Sequence, residues 1–242
     1  MVQDSSLPLD LMAGILYIVA TPIGNLEDIT LRALKILKEA DLILAEDTRV
    51  TKKLLIRYDI DKPIMSYHQH SSDEKKLQIL SELLNGKNIA LVSDAGTPGI
   101  SDPGNELIDF LLEKEPSIKI IPIPGASAIT TALSVCGFRA DKFIFLGFLP
   151  KKKKNKLYEW LKESPSASSG RTITFAFYES PHRLLKTLGE LKDRFGEDKR
   201  VLVARELTKL YETLYRGKID EIIERLSGEK IKGEIVIIVE GY

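Results

Sequence analysis

The sequence predicts an α/β fold whose first half is built on a mostly parallel sheet. Apolar runs of strand length, beginning with Gly14–Ala20, alternate with segments in which leucine recurs at the spacing of one helix face. Each apolar run ends in a polar or Pro/Gly-rich turn, so the chain repeats the order strand, loop, helix. That order is typical of a parallel sheet covered by helices on both faces.

Five such units make up the first half. Its predicted strands are Gly14–Ala20, Leu42–Ala45, Ile64–Tyr67, Ile89–Val92 and Ile118–Ile123. Its predicted helices start after the cap Thr30, near Lys52, at Ser72, near Asn105 (with Asp102 as N-cap and Pro103 as first residue) and at Ile129. Because loops after parallel strands share one edge of the sheet, we expect five turns to lie together: those at Thr21, Glu46, His68, Asp94 and Pro124.

The pattern changes from Phe138 onward, and we place a domain boundary near Gly137–Lys142, which gives domains of residues 1–138 and 139–242. The predicted strands of the second domain are Phe143–Leu149, Arg171–Tyr178, Arg200–Ala204, an edge strand Glu212–Arg216 and a closing strand Glu234–Glu240. One predicted helix carries Tyr158, Trp160 and Leu161, one starts at Ser180 and Pro181, and one spans Ile219–Leu226. The composition of Ser164–Gly170 predicts a mobile loop.

Composition excludes several classes of protein. The 242 residues include 35 Lys+Arg and 35 Asp+Glu, and this zero net charge argues against a generally basic nucleic-acid binder while allowing a local basic patch. The single cysteine, Cys136, cannot form an intrachain disulfide, and its apolar neighbours indicate a small core residue. With three histidines, no Cys/His metal cluster has a recognisable spacing.

The amino-terminal segment predicts neither a membrane anchor nor an export signal. The apolar stretch Leu11–Ala20 is too short to span a bilayer, and no basic residue precedes it. We interpret Met1–Ala13 as a loose leader. We therefore expect a soluble, cytoplasmic protein.

The segment Leu91–Gly104, LVSDAGTPGISDPG, is the most informative stretch of the chain. Five of its residues are glycine or proline, which together give a rigid loop with an exposed main chain. The loop follows a buried strand and precedes a helix, which is where open α/β sheets bind small ligands. It is also longer than an ordinary strand-to-helix connection needs to be.

Two similar turns accompany this loop, TPIGN after the first strand and PIPGASA at the fifth. No Walker loop and no GxGxxG motif is present, so the usual nucleotide fingerprints are missing. Main-chain groups displayed by Pro/Gly turns suit a neutral or zwitterionic ligand that contains adenine and ribose, rather than a triphosphate.

Seven motifs occur in order and cover nearly the whole chain, from about Gly14 to Gly241. They are TPIGNLEDIT at Thr21–Thr30, AEDTR at Ala45–Arg49, SDAGTPGISDPG at Ser93–Gly104, PIPGASA at Pro122–Ala128, FYESPHRL at Phe177–Leu184, ARELTK at Ala204–Lys209 and KGE at Lys232–Glu234. Together they resemble the bacterial cytidine 2′-O-methyltransferases of small-subunit (16S) ribosomal RNA, which belong to the tetrapyrrole-methylase superfamily. Some members are longer, with a small carboxyl-terminal extension; if that extension helps to hold RNA, this chain must hold RNA with other residues.

The resemblance implies a two-domain α/β fold, with a mostly parallel sheet in the first domain and a mixed sheet in the second. It also implies a homodimer that acts on RNA of the small ribosomal subunit without a metal, and S-adenosylmethionine (SAM) bound in the cleft between the domains. The implied cofactor-binding residues are Thr21, Pro22, Ile23, Gly24, Ser93, Asp94, Ala95, Gly96, Thr97, Ile100, Ser101, Asp102, Ala126, Ser127, Ala128, Tyr178, Ala204, Arg205 and Glu206.

The implied reaction is an in-line methyl transfer to a ribose hydroxyl, which needs alignment and a group that accepts the hydroxyl proton. Candidate catalytic residues are Glu46, Asp47, Glu179 and His182. Arg49 cannot act as a base while charged, and we expect it to bind an RNA phosphate or a carboxylate. A mutual ion pair between Glu46 and Arg49 is the structural alternative.

Basic residues of the second half are the candidates for RNA binding. They are Lys151, Lys152, Lys153, Lys154, Lys156 and Arg183. Arg183 is expected in the first turn of a helix, where a phosphate is favoured. Tyr158 and Trp160 follow the lysine run and strengthen the RNA interpretation, although such a run is also typical of a solvated face.

Two other functions stay open at this point. A tetrapyrrole C-methyltransferase of the same superfamily would lack the combination of AEDTR and FYESPHR, as far as the resemblance extends. A non-catalytic RNA-binding assembly factor would keep the fold without the cofactor, and the intact SDAGTPGISDPG loop argues against it.

Overall fold

The computed structural model describes residues 13–163 and 173–241 of the chain. The predicted loop Ser164–Gly170 and all but the last residue of the predicted leader lie outside these ranges. The chain forms two compact units, residues 1–127 and 128–242. In the two described ranges, no helix has the length and apolar character needed to cross a membrane.

The first unit is a five-stranded parallel sheet with four α-helices. Its strands are β1 (Ile15–Val19), β2 (Leu42–Ala45), β3 (Ile64–Ser66), β4 (Ile89–Val92) and β5 (Lys119–Ile123). Its helices are α1 (Leu31–Glu39), α2 (Thr48–Arg57), α3 (Asp73–Leu84) and α4 (Asn105–Lys114). The strand order is β3-β2-β4-β1-β5, and all neighbouring pairs are parallel.

Alternating side chains of these strands build two separate cores, one on each face of the sheet. Leu16, Leu44 and Leu91 pack with α3 and α4, whereas Val19 and Ile43 pack with α1 and α2. The strands are therefore buried on both faces, which explains why they are continuous apolar runs. The connection from β1 to β2 runs towards the β3 edge of the sheet, whereas the connection from β4 to β5 runs towards the opposite edge. The direction of the connections, and with it the strand order, therefore reverses between the adjacent strands β4 and β1.

The second unit contains a mixed sheet. Its strands are β6 (Phe143–Phe148), β7 (Thr174–Glu179), β8 (Arg200–Arg205), β9 (Thr213–Lys218) and β10 (Ile235–Val239). Its helices are α5 (Ala128–Ser134), α6 (Lys154–Glu163), α7 (Leu184–Phe195) and α8 (Ile219–Leu226). The order is β6-β7-β10-β8-β9, in which β6 and β7 are parallel and the other pairs antiparallel. The predicted fold class is thus confirmed.

Helices α6, α7 and α8 supply one core of this unit, with Phe177, Leu188 and Ile237 at its centre. Helix α5 lies against β10 and so groups with the second unit. The predicted division after residue 138 would instead assign α5 to the first domain. That division into functional domains stays a prediction.

Helices α2 and α7 begin at residues other than those predicted. Helix α2 begins at Thr48, before the predicted Lys52, because the Asp47 side chain accepts a hydrogen bond from the N–H of Arg49 and caps the helix. Helix α7 begins at Leu184, because Ser180 and Pro181 belong to a preceding turn.

Helix α4 starts at the predicted residue but not with the predicted cap. Its N-cap is Gly104, which has no side chain to contribute. The carboxylate of Asp102 instead accepts a hydrogen bond from the N–H of Gly99, inside the preceding loop. Pro103 consequently lies outside the helix.

Candidate active site

Three loops meet at the carboxyl edge of the first sheet. The main chains of Thr21 and Gly96 exchange two hydrogen bonds of 2.9 and 3.0 Å, which join the loops after β1 and β4. The Thr21 hydroxyl also donates to the Ser93 carbonyl at 3.2 Å. The Thr97 hydroxyl donates to the Ala126 carbonyl at 3.2 Å, which joins the β4 loop to the β5 loop. These bonds fix the loops at the reversal of strand order, the expected ligand site of an open α/β sheet.

Glycine is required at two points where these loops approach one another. Gly96 has φ +84°, a conformation that other residues rarely adopt, and a Cβ there would lie 3.4 Å from Ile23 Cγ2. A Cβ on Gly125 would lie 2.9 Å from the Ala20 Cβ, closer than such atoms pack. Neither glycine therefore adds a side chain where the loops meet.

Contacts within the β4 loop hold its shape. The side-chain amide nitrogen of Asn105, at the start of α4, donates a hydrogen bond back into the loop, to the Gly99 carbonyl at 2.9 Å. The Asp102 carboxylate accepts hydrogen bonds from the N–H of Gly99 and from the side chain of Ser93. Burial nevertheless raises the pKa of Asp102, because its carboxylate loses solvent. Between these fixed points, Ile100 and Ser101 are exposed, and Ser101 has a left-handed φ of 67°.

Glu46 lies at the same edge, in a group of carboxylates. It follows β2, and the adjacent N–H of Asp47 donates to Asp94 Oδ1 at 2.9 Å. Burial first, and then the charges of Asp94 and Asp102, raise the pKa of Glu46; a main-chain hydrogen bond from Asp94 and the charge of His68 act in the opposite direction. Glu46 is therefore a stronger base than an ordinary glutamate, in a half-buried position.

Asp47 has a different environment from its neighbour Glu46. Its carboxylate forms a two-point ion pair with Arg49, with Nη2–Oδ2 at 2.6 Å and Nε–Oδ1 at 3.0 Å. The hydrogen bonds from Arg49 lower the pKa of Asp47 to about 2. Arg49 thus pairs with Asp47, and the alternative pairing with Glu46 is not formed.

Glu179 and Arg183, in the second unit, are largely engaged by internal contacts. The Glu179 side chain is fully buried and accepts hydrogen bonds from the Thr187 hydroxyl at 2.7 Å and the Ser180 N–H at 2.8 Å. Arg183 Nε lies 3.3 Å from the same carboxylate, and Arg183 Nη2 donates to the Leu149 carbonyl at 3.0 Å. These contacts favour an anchoring role for both residues, whereas His182 between them is exposed.

The remaining predicted cofactor residues lie in the second unit. Tyr178 is half-buried against two phenylalanine rings of β6, and Ala204 is fully buried in β8. Arg205 donates to the Thr213 hydroxyl at 3.4 Å, and Glu206, with φ 52°, accepts from Lys209 Nζ at 2.9 Å. Ala128 is the first residue of α5. Their contact with a cofactor stays a prediction.

The lysine run is not uniform. Lys151, Lys152, Lys153 and Lys156 are exposed. Lys154 is 9% exposed and pairs with Glu190 on α7 at 2.6 Å, and the Tyr158 hydroxyl donates to the same carboxylate oxygen at 3.2 Å. Both residues are thus buried and engaged by Glu190, and a direct contact of Lys154 or Tyr158 with RNA stays a prediction. The spacing of Lys154, Tyr158 and Leu161 on one helix face is a sequence signal for that burial.

Proteins similar in sequence to this chain point to the same fold as the structure. The family described as Tetrapyrrole (Corrin/Porphyrin) Methylases matches residues 15–223, and the chain belongs to this family. It is 48% identical over 229 residues to "Ribosomal RNA small subunit methyltransferase I" of Bacillus subtilis, covering 94% of this chain and 75% of the relative. It is 47% identical over 229 residues to the protein of the same name from Thermotoga maritima, covering 94% and 99% of the two chains. The predicted family membership is confirmed.

Solved structures share the fold at low sequence identity. The cobalt precorrin-4 methyltransferase CbiF superposes with a TM-score of 0.71 at 19% identity, over 98% of each chain. A uroporphyrin-III C-methyl transferase from Thermus thermophilus, solved in complex with S-adenyl homocysteine, gives a TM-score of 0.65 at 19% identity, over 94% of this chain and 97% of that one. At this identity the comparison establishes the fold.

Proposed function

We propose that this protein transfers a methyl group from SAM to the ribose 2′-oxygen of a cytidine in small-subunit (16S) ribosomal RNA. The observation that carries the proposal is the 47–48% identity, over 94% of the chain, to relatives named ribosomal RNA small subunit methyltransferase I. The fold and the site described above are compatible with that chemistry.

The loops of the first unit fit SAM on two observations. Hydrogen bonds between Thr21 and Gly96 fix the loops at the reversal of strand order, and glycine at position 96 adds no side chain to the surface offered to adenine and ribose. Glu46, Asp94 and Asp102 place negative charge at the same edge, which suits a sulfonium cation. The residues of this unit that would hold the cofactor are Thr21–Gly24, Ser93–Thr97, Ile100–Asp102, Ala126 and Ser127.

When bound, SAM supplies an electrophilic methyl group on a positively charged sulfur. Glu46 accepts the proton of the ribose 2′-hydroxyl, since burial and the neighbouring carboxylates raise its pKa above that of an ordinary glutamate. Asp94 positions the loop that carries Glu46, through its hydrogen bond to the N–H of Asp47. Arg49, whose side chain is 87% exposed, exchanges its surface ion pair for an RNA phosphate at little cost.

In the second unit, exposed Lys151, Lys152, Lys153, Lys156 and His182 face the RNA. The active protein is a homodimer in the cytoplasm, where small ribosomal subunits are assembled. Among the described residues, no group of three His, Cys, Asp or Glu side chains is arranged to hold a metal ion, and the proposed reaction needs none.

A transfer assay tests the proposal. Purified protein is incubated with methyl-labelled SAM and either small ribosomal subunits, protein-free 16S RNA or a uroporphyrinogen. We expect label in the RNA, recovered as 2′-O-methylcytidine after nuclease digestion. Label on the tetrapyrrole would overturn the choice of substrate. Tight subunit binding without any transfer would identify a non-catalytic assembly factor instead.

A further inference from the structure

A polar pocket of about 290 Å³ lies between the start of α6 and the end of α7. Its lining residues are Lys151, Lys152, Lys153, Lys154, Asn155, Tyr158, Glu190, Asp193 and Arg194. Five of these nine side chains are cations and two are carboxylates. The volume is at the small end of ligand pockets, and the composition is too polar for an apolar ligand.

The Lys154–Glu190 ion pair forms the fixed base of this pocket. Desolvation acts to raise the pKa of Glu190, but the hydrogen bond and charge of Lys154 outweigh it and hold that pKa below its ordinary value. Glu190 therefore stays charged and cancels Lys154, so the remaining lining carries Lys151, Lys152, Lys153 and Arg194 against Asp193 alone. The pocket has a net positive charge that its base does not neutralise.

Arg194 reaches this pocket from the last turn of α7. Its Nη2 donates to the Asn155 Oδ1 at 2.9 Å, which orients the Asn155 amide so that its NH₂ group is the end left to donate. A half-exposed guanidinium, an amide donor and three exposed lysines thus converge on one concave surface. Guanidinium and ammonium donors in this arrangement match the oxygens of a phosphate group.

We propose that this pocket binds a backbone phosphate of RNA, with Arg194 and Asn155 as binding residues in addition to the lysine run. A contact to a backbone phosphate fixes the position of the RNA and carries no base-sequence information directly. The identity of the ligand as RNA rests on the proposed function, whereas the anion-binding character rests on the pocket itself.

The test is the salt dependence of RNA binding by the full chain. A fluorescein-labelled, single-stranded RNA oligonucleotide is titrated with the wild type and with the triple variant Lys151→Gln/Lys152→Gln/Arg194→Gln over a range of KCl concentrations. We expect the triple variant to bind the RNA at least about tenfold more weakly than the wild type at low salt. We also expect its slope of log K against log salt to be reduced by roughly 1–2, because each lost phosphate contact removes about 0.7.

The matched control removes three exposed lysines outside the pocket, in the variant Lys35→Gln/Lys38→Gln/Lys230→Gln. We expect the slope of log K against log salt to fall less than half as much in this control as in the triple variant. An equal reduction of the slope in both variants would overturn the pocket as a site. If the triple variant unfolds early in a thermal melt, the double variant Lys151→Gln/Lys152→Gln replaces it, with a slope reduction of about 1. A wild type that binds RNA through the pocket but transfers no methyl group would contradict the proposed function and leave this inference standing.

Discussion

At the scale of single residues, the two carboxylates that follow β2 differ in their charged neighbours. Asp47 has a cation within hydrogen-bond distance and is a weak base. Burial first, and then the charges of Asp94 and Asp102, raise the pKa of the adjacent Glu46. These opposite pKa shifts support the proposal that Glu46, and not Asp47, is the base.

Replacing Glu46 by glutamine tests this division. We expect Glu46→Gln to lower kcat for methyl transfer by about 10²–10⁴-fold, the usual contribution of a general base, while the SAM Kd from calorimetry stays within a few fold. Asp47→Asn is the matched control, since asparagine caps a helix as well as aspartate does. A Glu46→Gln enzyme with nearly wild-type kcat would rule out Glu46 as the base.

The pKa of Glu46 also predicts how stability depends on pH. A carboxyl group whose pKa is raised by folding stabilises the folded state below its unfolded pKa, and this stabilisation is lost as pH rises through the folded pKa. Glutamine mimics the protonated form, so we expect Glu46→Gln to raise Tm above wild type at neutral pH. The difference should vanish below about pH 4, the ordinary range of glutamate. Scanning calorimetry across this range would expose the opposite trend if Glu46 were stabilised as an anion.

At the scale of elements, the loops after β1, β4 and β5 act as one unit because their main chains are bonded to each other. Gly96 is the point where this arrangement depends on a single residue. Its φ is positive, and the atoms that a Cβ there would meet belong to Ile23 in the loop after β1 and to Ala126 in the loop after β5. No side chain projects from Gly96 itself, so the loops after β1 and β4 approach one another there through their main chains.

The variant Gly96→Ala tests the need for glycine where these loops meet. Alanine in the left-handed region loses about 1–2 kcal/mol, and we expect the free energy of unfolding to fall by that amount. We also expect the Kd for SAM, from calorimetry, to rise at least tenfold, because the loop must shift. Gly189→Ala is the control, since Gly189 lies inside α7 with open space around it, and alanine there should be neutral or stabilising. Unchanged SAM affinity in Gly96→Ala would remove the β4 loop from the site.

Helices α6 and α7 depend on a second local contact, between Lys154 and Glu190. We expect Lys154→Met to lower the free energy of unfolding by about 1–3 kcal/mol, because the half-buried Glu190 carboxylate loses its main partner. The double variant Lys154→Met/Glu190→Gln should recover most of that loss in chemical denaturation. A full, additive loss in the double variant would mean that Lys154 stabilises the helix by some other contact.

Some helix starts were predictable from the sequence and others were not, for one physical reason. Thr30 caps α1 as predicted, and its hydroxyl accepts a hydrogen bond from the N–H of Ala33. Asp102 was expected to cap α4 in the same way, yet the N–H of Gly99 takes its carboxylate. Such competition depends on the folded loop, and the pattern of residue types does not contain it.

At the scale of the whole molecule, apolar runs predicted nearly every strand, since burial on both faces leaves a clear pattern. The order of strands in the sheets was outside the reach of that pattern. The last strand of the chain, β10, lies at the centre of the second sheet, and the first, β1, lies inside the first sheet. Likewise, the helical spacing of Lys154 to Tyr158 and Leu161 sets it apart from Lys153, but its partner Glu190 on α7 is given only by the folded structure.

The interior position of β1 has a consequence for synthesis. The strand is made first, but its partner β4 follows much later, as the 73 residues between hydrogen-bonded Ile15 and Asn88 indicate. At ordinary rates of translation, a nascent chain would carry this apolar strand without a pairing partner for roughly 4–15 s. The exposed edge is a target for chaperones and for aggregation during that interval. Slower translation would lengthen the delay, so the yield of folded protein should be sensitive to codon choice between β1 and β4.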